Sequence, residues 1–206
     1  MTENKQINYE KKIIDLIKNP IFILALIGGL SLAIRLYLVP FDLVLGNDGT
    51  SYFWYANDVS ILGKLPNEIS PNIDTQFPNN GWPIFLSGFF SLIDSTNFLD
   101  YMNAQRVISI LISVVTVIPI YFLGRKFFNE KFSLVVAALF AFEPRLIENS
   151  LLGITEPIYL LLGTIALVLF LSKNNKIIII SFIAAALFCL IRYEGLLIII
   201  PMTIMY

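Results

Sequence analysis

The chain has 206 residues, 57% of them hydrophobic, with a mean hydropathy of +0.77 and a formal net charge of −1. That hydrophobicity exceeds what one soluble core can hide, which excludes an ordinary soluble domain; the net charge itself says nothing of partners, because opposite charges are segregated by membrane side, and nucleic acid is not an expected partner. Histidine is absent, so carboxylates must carry any proton transfer near neutral pH; the lone cysteine, Cys189, excludes an intrachain disulfide and reads as a small buried residue.

Residues 1–19 are polar and lysine-bearing, with Ile13, Ile14 and Ile17 on one helical face beside Lys11, Lys12 and Lys18. This reads as a cytoplasmic amphipathic segment. The apolar run 21–39 is roughly 28 Å long as a helix and suits a hydrocarbon core of about 30 Å. It is too long for a signal-peptide core and lacks a small-residue cleavage site, so it is expected to be a retained anchor. Residues 41–103 carry Asp42, Asp48, Asp58, Glu68, Asp74, Asp94 and Asp100 against Lys64 alone, which predicts a long extracytoplasmic first loop. Within it, the apolar run 82–93 is too short to cross and is expected to lie in the outer leaflet, with Trp82 at headgroup level.

Further spans are predicted at about 107–123, 132–142, 158–171 and 177–190. They are separated by a basic turn (Arg125, Lys126, Lys131), a net acidic one (Glu143, Arg145, Glu148, Glu156), a basic one (Lys173, Lys176) and Arg192-Tyr193-Glu194. The alternation places the N-terminus in the cytoplasm of a cell-membrane protein. A final apolar run, 195–206, is short of a crossing and reads as the start of a helix in a longer protein. The expected fold class is therefore all-α: a polytopic transmembrane helix bundle over 20–206, incomplete at its C-terminal end, with short interfacial helices in its first loop.

Nearly every candidate reactive residue falls on the outer side. If the segment after Asn47 is helical, Asp48, Tyr52 and Tyr55 share a face at i, i+4 and i+7 with Trp54 alongside, a carboxylate among aromatic rings that suits a hydroxylated ligand such as a sugar. The same residues also fit a turn and N-cap. Glu148 and Glu156 either face an outer cavity or are solvated loop charges. Arg35, Arg106 and Arg192, the last beside Glu194, either snorkel to the interface or bind an anionic phosphate.

In order and spacing these segments resemble the GT-C superfamily of membrane glycosyltransferases, in the group of protein O-mannosyltransferases, aminoarabinose transferases and Rgt-type sugar transferases. The resemblance begins at Arg35-Leu36-Tyr37. It continues through Asp48-Gly49-Thr50-Ser51-Tyr52, Ala104-Gln105-Arg106-Val107 and Asn149-Ser150-Leu151-Leu152-Gly153-Ile154-Thr155-Glu156, and ends at Arg192-Tyr193-Glu194-Gly195. The frequent His-Pro-Pro of relatives is missing near Pro78 and Pro83, and Tyr193 stands where relatives carry proline.

The resemblance implies transfer of a sugar from a polyprenyl-phosphate-linked donor in the lipid bilayer to a glycan, lipid or protein acceptor on the extracytoplasmic side, with inversion and without nucleic acid as a partner. It further implies Asp48 as catalytic base, with Tyr52, Trp54, Tyr55, Arg35, Arg106, Glu148, Glu156, Arg192 and Glu194 as substrate contacts. A divalent cation (Mg or Mn) bridging Asp48 and Glu156 is an open option, since some relatives work without metal. The competing expectation is a non-catalytic membrane protein or transporter handling the same lipid. A transporter places polar groups at mid-depth in its spans, and these span interiors carry almost no charge.

Overall fold

A computed structural model of the chain describes residues 19–64 and 80–206. The expected amphipathic segment at 1–18 and the loop residues 65–79, including Glu68, Asp74 and Pro78, lie outside the described residues.

Among the described residues all regular structure is helical. Helix α1 (Pro20–Leu38) starts where Asn19 Oδ1 accepts the Ile21 amide at 3.0 Å and Pro20 occupies the first turn, where its missing N–H costs no hydrogen bond. Then come α2 (Asn47–Leu62), α3 (Gly81–Phe90), α4 (Phe98–Val115), α5 (Val117–Phe127), α6 (Glu130–Phe142), α7 (Pro144–Leu151), α8 (Glu156–Phe170), α9 (Asn175–Ile191), a 3-10 turn (Tyr193–Gly195) and α10 (Leu196–Met205). Asn97, Asn129 and Asn174 likewise cap α4, α6 and α9 through their side chains.

Among the described residues two helices are long and apolar enough to cross a bilayer, α1 and the near-continuous α4–α5 pair, which spans Phe98–Phe127 over 30 residues. The pair is interrupted only at Thr116. Pro119, three residues further on, cannot donate to the carbonyl four residues back and crowds it, which accounts for the break. On α1, Ile21, Leu26 and Leu30 are 75%, 52% and 50% exposed, an apolar face suited to lipid or to a neighbouring helix.

The other expected spans form as helices, but short ones: α6, α8 and α9 have 13, 15 and 17 residues. At about 1.5 Å per residue they reach roughly 20, 22 and 26 Å, less than a core of about 30 Å. The run at 82–93 is helical only as far as Phe90, and Trp82 is not at a headgroup level open to solvent. It is fully buried, with Nε1 donating to the Gly153 carbonyl at 3.0 Å.

Three apolar cores hold the helices. One joins α1, α5 and α6 through Ile27, Val117, Tyr121, Ala137 and Ala141; another joins α8, α9 and α10 through Ala166, Ala184, Ala185 and Met202. The third, built on Phe53, Trp82, Leu86, Phe90, Ile158 and Ile191, packs α2 and α3 against α8 and α9. That last core positions the candidate site, because α2 carries Asp48 and α8 opens with Glu156.

Candidate functional site

The chain before α2 is fixed from both sides. Arg106, on α4 and almost fully buried, donates to Asn103 Oδ1 at 2.8 Å and to the Val44 carbonyl at 3.0 Å, while Thr50 Oγ1 donates to the Leu45 carbonyl at 2.7 Å. Gly46 precedes the helix, and Asp48 falls in its first turn, where the positive end of the helix dipole favours a carboxylate. Asp48 is exposed and borders a cavity of about 280 Å³ together with Gly46, Gly49, Leu152 and Ile154.

One turn along α2, Tyr52 lies between Asp48 and the start of α8. A hydrogen bond links its side chain to that of Thr155. Burial, opposed by that bond and by Arg192 and reinforced by the charges of Glu156 and Asp48, pushes its phenol above the ordinary tyrosine range. Glu156 opens α8, with Pro157 holding the first turn. Arg192, in extended backbone at the end of α9, then forks between two carboxylates: Nη1 donates to Glu156 Oε1 at 3.0 Å and Nη2 to Glu194 Oε1 at 3.0 Å. The bond to Glu194, added to the neighbouring charges, raises Arg192 above its usual range, and the same bond lowers Glu194 below the usual glutamate value. The Arg192 guanidinium also lies 5.7 Å from the ring centre of Tyr159, within cation–π range.

Asp48, Tyr52, Glu156, Arg192 and Glu194 therefore converge from three separate parts of the chain. Arg192 is shared by two carboxylates, Glu156 and Glu194, and Asp48 adds a third negative charge near Tyr52, so the cluster is net negative. It can accept a proton or a hydroxyl, and its arginine can grip an anion only by trading away a carboxylate partner.

The remaining predicted site residues are placed elsewhere. Tyr55 is buried and donates to Asn80 Oδ1 at 3.0 Å, fastening α2 to the start of α3. Trp54 turns to Phe98, with ring centres 5.2 Å apart. Arg106 clasps the loop before α2, as described. Glu148 is exposed on α7. Arg35 is 0% exposed and makes its bonds inside the bundle: Nε to Ser150 Oγ at 3.2 Å, Nη2 to Ser113 Oγ at 3.2 Å, and Nη1 to the Ala141 carbonyl at 2.9 Å and to Ser31.

Sequence reasoning passed over Thr155, Gln105 and Gly153. Gln105 stands beside Asn103 and Arg106 on α4, where nothing in the sequence set it apart. Among the described residues no three His, Cys, Asp or Glu side chains converge on a metal position, so the expected cation has only the pair Asp48 and Glu156 to hold it.

Next to this cluster, residues of α3, α8 and α9 line an apolar cleft of about 540 Å³, among them Ile84, Phe85, Leu162, Leu187 and Leu190. Cys189 borders it and is partly exposed, not enclosed as its apolar sequence setting implied.

A helical membrane protein with a carboxylate-rich site beside an apolar cleft is the class these features define. The family described as dolichyl-phosphate-mannose-protein mannosyltransferase matches residues 82–206, more than half of the chain, and the protein belongs to this GT-C family. Arg106, Glu148, Glu156, Arg192 and Glu194 fall within the matched residues, and Asp48 precedes them. Neither a curated protein nor a solved structure matches the chain.

Proposed function

We propose that this mannosyltransferase-like protein moves a sugar from a polyprenyl-phosphate-linked donor to an acceptor hydroxyl or amide on the extracytoplasmic face of the cell membrane, with Asp48 as the base. The observation that carries this reading is the fork of Arg192 between Glu156 and Glu194 at the start of α8, with Asp48 in the first turn of α2. Asp48 takes the acceptor proton as the acceptor atom bonds to the anomeric carbon, and the bond from that carbon to the phosphate oxygen breaks. The leaving phosphate departs as an anion, so no general acid is required. Arg192 exchanges one of its carboxylates for that phosphate and stabilises its growing charge. The apolar cleft lined by Ile84, Leu162 and Leu187 suits the isoprenoid tail.

The topology follows the sequence reading: α1 outward, α4–α5 inward, α6 outward, α8 inward, α9 outward, with 41–103 outside. Two facts support it. The acidic cluster gathers the ends that must share the outer side, and Lys126 Nζ donates to the Leu171 carbonyl at 3.0 Å, joining the two basic turns that must share the inner side. The short α6, α8 and α9 are accommodated by local thinning of the bilayer or by neighbouring helices.

In membranes containing the full-length protein and a short-chain polyprenyl-phosphate mannose, Asp48→Asn is expected to reduce transfer by about 10²–10⁴-fold with insertion unchanged. Undiminished transfer removes the base assignment, and absence of transfer by the wild-type protein leaves one that only binds the lipid. EDTA in the same assay decides the cation: loss of transfer restored by Mg or Mn supports a metal held by Asp48 and Glu156, and unaltered transfer means the carboxylates act alone.

A further inference from the structure

The first turn of α2 and the turn between α7 and α8 are distant in sequence, yet their backbones approach closely. A Cβ on Gly49 would stand 2.4 Å from the Leu152 carbonyl oxygen, so only glycine permits this approach. Gly153, with φ +67°, turns the chain so that its own carbonyl faces inward. Between the two lies Gln105, 0% exposed on α4. Its Nε2 donates to the Gly49 carbonyl at 3.0 Å and to the Gly153 carbonyl at 2.7 Å. Because both neighbours are acceptors, the amide nitrogen and not the oxygen must face them. Trp82 Nε1 supplies the second donor to Gly153.

We infer that Gln105 is a positioning residue for the proposed transfer: one buried amide joins the first turn of α2 to the α7–α8 turn and thereby sets the distance from Asp48 to Glu156 and Arg192. Gly153 lies in a turn, and its carbonyl takes its side-chain donors from Gln105 and Trp82. The clasp also defines the cavity of about 280 Å³ beside Asp48, whose walls are Gly46 and Gly49 on one side and Leu152 and Ile154 on the other. Gln105 does not touch the substrate in this account. It acts through the placement of Asp48, and so rests on the transfer reading above.

Two variants of similar volume test it in the full-length protein, assayed in membranes with a short-chain polyprenyl-phosphate mannose. Gln105→Leu removes the donor and is expected to lower apparent kcat about 10²-fold through misplacement of the base, with donor KM changed by less than about threefold. Gln105→Glu points a carboxylate at two carbonyl oxygens, and burial with these neighbours favours its protonated form, which regains one O–H donor. Its activity relative to wild type is therefore expected to rise about tenfold between about pH 8 and pH 5.5. A wild-type kcat for folded Gln105→Leu, or a ratio for Gln105→Glu that does not vary with pH, overturns the inference; if Gln105→Leu does not fold, the ratio decides alone.

Spin labels at positions 61 and 145 in a Cys189→Ala background judge the clasp without any activity. Gln105→Leu is expected to broaden the distance between them, and an unchanged distribution counts against the inference. Loss of transfer in Asp48→Asn with normal Gln105→Leu sinks the clasp alone. Normal transfer in Asp48→Asn sinks the base assignment and leaves the clasp to the spin labels, whereas absence of transfer by the wild-type protein sinks the transfer reading.

Discussion

Arg192 and Arg35 carry the same guanidinium into opposite circumstances. Arg192 sits at the rim, its side chain 31% exposed, held by the carboxylates of Glu156 and Glu194. Arg35 is fully enclosed, and among the described residues no carboxylate comes within ion-pair distance of it; hydroxyls and a carbonyl from α1, α4, α6 and α7 surround it instead. A partly hydrated ion pair can change partners at small cost, whereas a buried cation stripped of its bonds has nowhere to recover them. The rim arginine is thus suited to bind and release an anion, and the enclosed one to fasten four helices together.

The largest effect that tests this contrast is on stability. Arg35→Met leaves several buried hydroxyl and carbonyl groups without donors, each loss costing about 1–3 kcal/mol, and is expected to reduce folded yield and thermal stability by roughly 3–5 kcal/mol in total. A variant that folds normally would make Arg35 dispensable and erase the difference. Arg192→Gln is expected to do the reverse: stability within about 1 kcal/mol of wild type, as for exposed ion pairs, but transfer slowed about 10²–10³-fold by loss of the charge opposite the leaving phosphate. Thermal unfolding and initial rates on the same preparations separate the two outcomes.

A smaller, reversible effect concerns pH. Bonding to Arg192 holds Glu194 below the ordinary glutamate value of 4.5, so this pair contributes its stabilisation above that value and loses it as pH falls through the lower folded value. The neutral groups around Arg35 do not titrate. Amide protection, relative to the intrinsic exchange rate at each pH, is therefore expected to fall at 192–195 on acidification below 4.5 while that at 31–35 is kept. Parallel loosening of both segments would show one cooperative network instead of two.

Much of the architecture was legible because hydrophobic run length and loop charge are local properties of the chain. The starts of α1, α6, α8 and α9 fall within two residues of the runs that predicted them, and Asp48, Glu156, Arg192 and Glu194 were named as candidates before any contact was known. Pairing was less legible. Arg35 and Arg192 look alike in sequence, each at the edge of an apolar run, and only the serines that tertiary packing brings to Arg35 distinguish them. Trp82 read as a headgroup anchor because its burial depends on the Gly153 carbonyl, 71 positions away. Gln105 was quoted within a motif and given no role, since its two acceptors are backbone atoms of remote glycines that carry no side-chain signal.

Cys189 offers a practical consequence. The only thiol among 206 residues borders the apolar cleft, partly accessible from within it. A lipophilic maleimide would make that native atom a reporter of occupancy, its labelling slowed whenever a prenyl chain fills the space, with no engineered cysteine anywhere in the protein.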